Sequence, residues 1–202
     1  MGAPRTPRER WIEEGLRALA EAGPDAVRVE ALAKRIGVTK GGFYGYFADR
    51  NALLVAMLDA WERESTHDVF DRIEEEGGDP KSRVRRAGEL SFSDDRLLPV
   101  DLAVRAWARH DEAVAERLRR VDNRRMGLLR AAMGTFCADA EEVEARSLLA
   151  FCAAIGAHFL AADHGGFTRA QVLDRAADLL LDRPRDPAVA PEPGAGPAPA
   201  GG

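Results

Sequence analysis

Residues 29–54, VEALAKRIGVTKGGFYGYFADRNALL, restrict this chain to very few folds. Leu32, Ala33 and Ile36 recur at helical spacing. Gly37 follows where a helix can end in a left-handed residue, a conformation glycine adopts without steric conflict. Thr39 is placed to cap a second helix by accepting a hydrogen bond from a backbone N–H two or three residues on. In that short second helix Lys40, Tyr44 and Tyr46 carry polar tips, leaving Phe43 and Phe47 to pack inward. A helix–turn–helix whose second helix shows donors on one face has the build of a unit that lies in a DNA major groove. Gly41, Gly42 and Gly45 weaken that helix by about 1 kcal/mol each relative to Ala. It is therefore expected to be held by docking more than by its own propensity.

The charge distribution agrees. The 202 residues carry a net charge of −5, which taken alone argues against a nucleic-acid partner. Residues 1–54, however, hold nine Lys or Arg against seven Asp or Glu, whereas the remainder holds twenty against twenty-seven. A mildly basic head on an acidic body orients such a chain toward DNA by one end. Two cysteines, Cys137 and Cys152, make no disulfide framework and fit a reducing compartment. The opening residues 4–8 are polar with no apolar core after them, so no signal peptide is expected. The longest apolar run, 148–162, is short for a bilayer and contains His158, so a cytoplasmic protein without membrane contact is expected.

The same segment resembles the DNA-binding domain of TetR-family transcriptional regulators. The resemblance is carried by Ala33, Gly37-Val38, Thr39-Lys40-Gly41-Gly42, Phe43-Tyr44-Gly45-Tyr46-Phe47, Arg50 and Leu53, over roughly the first quarter of the chain. Tyr46 stands where the family usually has His, Arg50 where it usually has Lys, and Gly45 where relatives often carry a large side chain. Arg-Ala-Trp-Ala at 105–108 is a weaker echo of one subgroup. The resemblance implies an operator-binding homodimer whose C-terminal body senses a small molecule. The DNA-contacting residues it implies are Arg28, Thr39, Lys40, Gly41, Gly42, Tyr44, Tyr46 and Arg50.

The rest of the chain reads as helix almost throughout, an all-α fold of about nine helices. Thr6, Pro7 and Glu9 form a capping box for the first, whose inward face is Trp11, Ile12, Gly15, Leu16 and Leu19. Arg5, Arg8 and Arg10 at its start are candidates for phosphate contacts. Asp49 should cap one long helix to about Glu76, with Leu54, Met57, Leu58, Trp61, Val69, Phe70 and Ile73 near one stripe. Further helices are expected from Asp79-Pro80 to about Phe92, over 98–110, and from Asp111 past Met133. Another should run from Asp139 to about Asp163. The last should start in a Thr168–Gln171 box with Phe167 and Val172 as a staple. A loop is expected over 91–95. The tail from Arg183, rich in Pro, Ala and Gly, is expected to be disordered. The domains then read as 1–48 for DNA binding, 49–182 for sensing and dimerisation with 49–76 as the connecting helix, and 183–202 as tail.

In the body, Ala154, Ala157, Leu160, Ala161, Val172, Ala176 and Leu179 are candidates for an intersubunit four-helix bundle. Candidate ligand-lining residues are Trp61, Phe92, Arg105, Trp107, Met126, Met133, Phe151, Cys152 and His158, which suggest a largely apolar effector. Asp101 with Arg105, and Asp122 with Arg125, have the spacing of surface ion pairs along one helix, although Arg105 or Asp122 turned inward would add a polar group to a pocket. His110-Asp111, Asp163-His164 and the cysteines sit in no nucleophile elbow, phosphate loop or metal spacing, so neither an enzyme nor a cofactor or metal is expected. The expected function is transcriptional repression relieved by a ligand. An activator, or a helical adaptor without DNA function, is the alternative.

Overall fold

The structure, a computed structural model, describes residues 8–92 and 97–181, apart from the side chains of residues 69, 70 and 90–92. Every regular element among them is helical. These are α1 (Arg8–Ala22), α2 (Val29–Ile36), a 3-10 helix (Lys40–Gly45) and α3 (Arg50–Arg63). A π-helical turn (Glu64–Asp68) then leads into α4 (Val69–Glu76), α5 (Pro80–Phe92) and α6 (Leu97–Ala108), and α7 (Glu112–Met133), α8 (Ala140–Gly156) and α9 (Arg169–Leu181) complete the order. Of the loop expected over 91–95, residues 91 and 92 instead close α5, and the rest lies outside the described residues, as do the Thr6–Pro7 box and the tail 183–202.

Side-chain caps set most helix starts, because the first backbone N–H groups of a helix have no partner within it. Asp49 Oδ1 accepts from Ala52 N at 2.8 Å, Asp111 Oδ1 from Ala113 N at 3.0 Å, and Asp139 Oδ1 from Glu141 N at 2.8 Å. The Thr168–Gln171 box forms in both directions, Thr168 N donating to Gln171 Oε1 at 2.8 Å and Gln171 N to Thr168 Oγ1 at 3.2 Å. Gly37 ends α2 in the left-handed region at φ 78°, with its N–H directed to the Ala33 carbonyl.

Four expectations change. The second helix of the helix–turn–helix is a 3-10 turn, and Thr39 makes no side-chain cap bond. Three glycines in six residues give the α-conformation little support, and Gly42 N instead closes a tight bond to the Thr39 carbonyl at 3.0 Å. The long helix from Asp49 is not continuous α-helix: the Thr66 hydroxyl bonds back to the Glu62 carbonyl at 2.7 Å within the π turn. Such back-bonding competes with the helical ladder. Helix α8 stops at Gly156, seven residues early, in a chain of turns whose carbonyls at Ala157 and Leu160 accept from Arg169. Phe167, proposed as half of a staple, is 68% exposed.

The main core joins α1, α2 and α3 to α6 and α7. Trp11, Leu19, Leu32, Phe43, Leu53, Met57, Trp61, Val104 and Val121 are fully buried in it. The inward face of α1 is the expected one, with Ala18 added. Gly15 lets α1 lie close on α3: a Cβ there would stand 2.5 Å from Met57 Sδ. A second cluster, centred on Val84, Ala132, Met133 and Leu181, joins α5 and α7 to α9.

Candidate functional site

Aromatic packing fixes the glycine-rich turn. Phe43 is fully buried, edge-on to Trp11 and stacked on Phe47, with ring centroids 5.3 Å apart in both pairs. Such pairs add about 0.5–1.5 kcal/mol beyond their burial. Anchored in this way, the turn presents Thr39, Lys40, Gly41, Gly42 and Tyr44 together on an exposed edge, Tyr44 being 55% exposed. Tyr46 is half-buried against the core. Arg28 is exposed at the start of α2, its Nε donating to the Asp25 carbonyl at 3.1 Å. Arg8 lies over the Phe47 ring at 5.1 Å.

Two cations of this region are already engaged. The Lys40 ammonium pairs with Glu30 on α2, and this hydrogen bond raises the lysine pKa while lowering that of the carboxyl. Both groups face water, so the pair yields readily to a phosphate. Arg50 is turned the other way: its Nε donates to the Val27 carbonyl at 2.7 Å and Nη2 to that of Pro24. It staples the loop between α1 and α2 to the start of α3.

In the body, the two expected surface ion pairs form one largely buried network. Asp101, with no exposed surface, accepts from Arg105 Nε at 2.9 Å, Arg125 Nη1 at 3.0 Å and Trp61 Nε1 at 3.3 Å. Asp122 pairs with Arg105 through both oxygens, at 2.7 and 2.9 Å, so it serves α6 and not its own i+3 neighbour Arg125. Burial works to lower the Arg105 pKa, but the bond to Asp122 and the nearby carboxylates more than offset it, leaving it raised. The network ties α3, α6 and α7 together, and Arg117 adds a link from α7 to Asp59 of α3 at 2.6 Å.

Beside it lies a cavity of about 340 Å³ between α5, α7, α8 and α9. Its wall includes Val84, Arg85, Arg125, Leu128, Leu129, Ala150, Phe151, His158, Leu173, Ala177 and Leu180. Of the proposed lining residues, Phe151 and His158 are present. Trp61 and Met133 are fully buried in the two cores, Met126 is buried, Trp107 packs against the main core, Arg105 is turned to Asp101 and Asp122, and Cys152 is exposed on α8. The side chain of Phe92 lies outside the described residues. Arg125, Arg85 and the α9 residues were not legible as lining, because single-helix spacing cannot show which helix a side chain faces. Among the bundle candidates, Ala154 and Ala176 border this cavity and Ala157 and Val172 a second one beside it, as Leu160 also does. Leu160 and Leu179 are exposed, as are Ala161, Leu148, Leu149 and Phe159.

Asp101→Ala should cost about 3–5 kcal/mol, because it takes the buried carboxylate away from Arg125, Arg105 and the Trp61 indole N–H. Asp122→Ala, at a half-exposed partner, should cost about 1 kcal/mol or less. Equal losses in urea unfolding would contradict this ranking. Burial, and then the charge of Arg169, hold the His158 imidazole below its ordinary pKa. The unfolded chain therefore binds that proton first, so stability should fall as pH drops from about 6.5 through the folded value. His158→Asn should flatten that slope in thermal melts between pH 7 and 5.

Residues 12–57 match the family model described as bacterial regulatory proteins, tetR family. The HTH-type transcriptional regulator BetI of Yersinia pestis is 31% identical over 124 residues, 59% of this chain and 62% of the relative. The chain thus spans about three-fifths of the length of that relative. A transcriptional regulator from Saccharomonospora viridis, solved in complex with choline, shares the fold with a TM-score of 0.68 at 19% identity, over 86% of this chain and 94% of that one. AibR, solved in complex with isovaleryl coenzyme A and operator DNA, does so with a TM-score of 0.62 at 15% identity, over 85% and 98%. Residues 12–57, which hold the Phe43-anchored turn, thus match the tetR family of bacterial regulatory proteins, and the all-helical body behind them shares the fold of these solved regulators.

Proposed function

We propose that the chain is a cytoplasmic, homodimeric, DNA-binding transcriptional repressor that leaves a palindromic operator when a small, largely apolar molecule occupies its body. The observation that carries this reading is the exposed edge Thr39–Tyr44, held rigid by Phe43 beneath it and lying inside the matched segment. In this reading residues 1–48 read DNA, 49–182 sense and dimerise, and 183–202 form a tail. Thr39, Gly41 and Gly42 allow close approach of the backbone, while Lys40, Tyr44 and Tyr46 supply donors and Arg28 a flanking cation. Arg50 acts here by tying the loop between α1 and α2 to the start of α3. The apolar cavity supports a ligand of that character, and AibR was solved with both an acyl-coenzyme A and operator DNA.

Dimerisation follows from two considerations. Two recognition elements reading successive major grooves must lie about 34 Å apart, a spacing that a two-fold dimer supplies. The exposed side chains Leu148 and Leu149 on α8, Leu160 in the turns after it and Leu179 on α9 give apolar surface that a second copy would cover.

Fluorescence anisotropy on DNA upstream of its own gene, across a salt series, tests the first part. Lys40→Ala should weaken binding to all sequences and reduce the salt slope by about one. Unchanged affinity at every salt concentration would sink the placement. Arg50→Ala should also lower the melting temperature, which Lys40→Ala should not. Leu149→Arg should give a monomer in sedimentation and lose operator affinity with it, whereas a stable dimer would remove α8 from the interface.

A further inference from the structure

The polar groups around the 340 Å³ cavity are sorted by depth. Its acidic members, Glu89 and Asp174, are exposed to solvent. Arg85 is half-buried and held by Asp178. The deepest polar side chain on the wall is Arg125, only 5% exposed, followed by the half-buried His158. A guanidinium donates and cannot accept, whereas an imidazole can do either. The remaining wall, including Leu128, Leu129, Phe151 and Leu173, is apolar. The wall at Arg125 therefore favours an acceptor, and an anionic one most, since charge-assisted bonds in low dielectric are the strong ones. A cation in the same place would meet Arg125 with little water to screen it.

Arg125 is also a working part of the network. Its Nη1 bonds to Asp101, and Asp101 holds the indole N–H of Trp61 on α3, the helix whose start Arg50 ties to the loop between α1 and α2. We propose that the cavity takes a compact monocarboxylate with an apolar body, whose carboxylate meets Arg125 and competes with Asp101 for it. This names the ligand class for the regulator reading above and rests on that reading for its biological role. As the ligand draws Arg125 away, Asp101 loses one of its two guanidiniums and its hold on Trp61 is altered. Occupancy of the cavity is thereby reported to α3 through a single side chain.

The test uses the full chain without DNA, so it stands apart from operator binding. Calorimetric titrations compare hexanoate, decanoate and 4-phenylbutyrate, each with its primary amide and its trimethylammonium counterpart. At least one acid should bind about tenfold or more tighter than both counterparts. Asp101→Asn should tighten that acid several-fold by releasing Arg125, and Arg125→Gln should bring it level with its amide. Should Arg125→Gln fail to fold, the Asp101→Asn/Arg125→Gln double variant removes both charges and serves in its place. If no acid exceeds its amide, or if the preference survives without Arg125, the proposal is overturned. An acid that binds as expected in a chain that ignores DNA would leave this proposal standing and remove the repressor.

Discussion

A carboxylate with no exposed surface, Asp101, holds the middle of this molecule. An isolated buried carboxylate is costly, and here it is matched by Arg105, Arg125 and the Trp61 indole, drawn from three helices. Apolar side chains slide past one another with little penalty, but a shared carboxylate fixes how α3, α6 and α7 sit relative to each other. The main core then fills around this fixed point, from Trp11 on α1 to Val121 on α7. The network also borders the cavity through Arg125, so a tightly constrained point of the body is adjacent to an open one.

The amino-terminal part of the chain uses a different device. There the anchor is aromatic: Phe43 against Trp11 and Phe47, with the Arg8 guanidinium over the outer ring. The glycine-rich turn has little helical propensity of its own, so its shape depends on these rings and on Arg50 fastening the preceding loop. Lys40 rests against Glu30, an exposed pair that screens the lysine without burying it.

Much of this was legible in the residues, for identifiable reasons. Caps and terminators are local, so Asp49, Asp111, Asp139, the Thr168–Gln171 box and Gly37 appear where spacing placed them. The inward face of α1 follows from periodicity alone. What spacing could not show is which of several helices a side chain meets. Asp122 lies three residues from Arg125 yet bonds to Arg105 of another helix. Trp61 and Met133 have the chemistry of pocket residues and are spent on core packing. Arg85 and Arg125 look like surface cations in sequence and border the cavity in the fold. The π turn and the early end of α8 were hidden too, since each depends on a side chain reaching a backbone carbonyl.

The three glycines of the 3-10 turn bear on how much information this protein can read. Positions 41, 42 and 45 offer a partner no side chain, so within the exposed edge few groups remain that can tell one base edge from another. Contacts made by backbone amides position a protein on DNA without distinguishing sequences. For the operator-reading role proposed above, discrimination must then be shared between a few direct contacts, the fixed separation of the two half-sites and the deformability of the DNA between them. Such a reader would tolerate many single-base changes within a half-site and few changes in the spacing between half-sites.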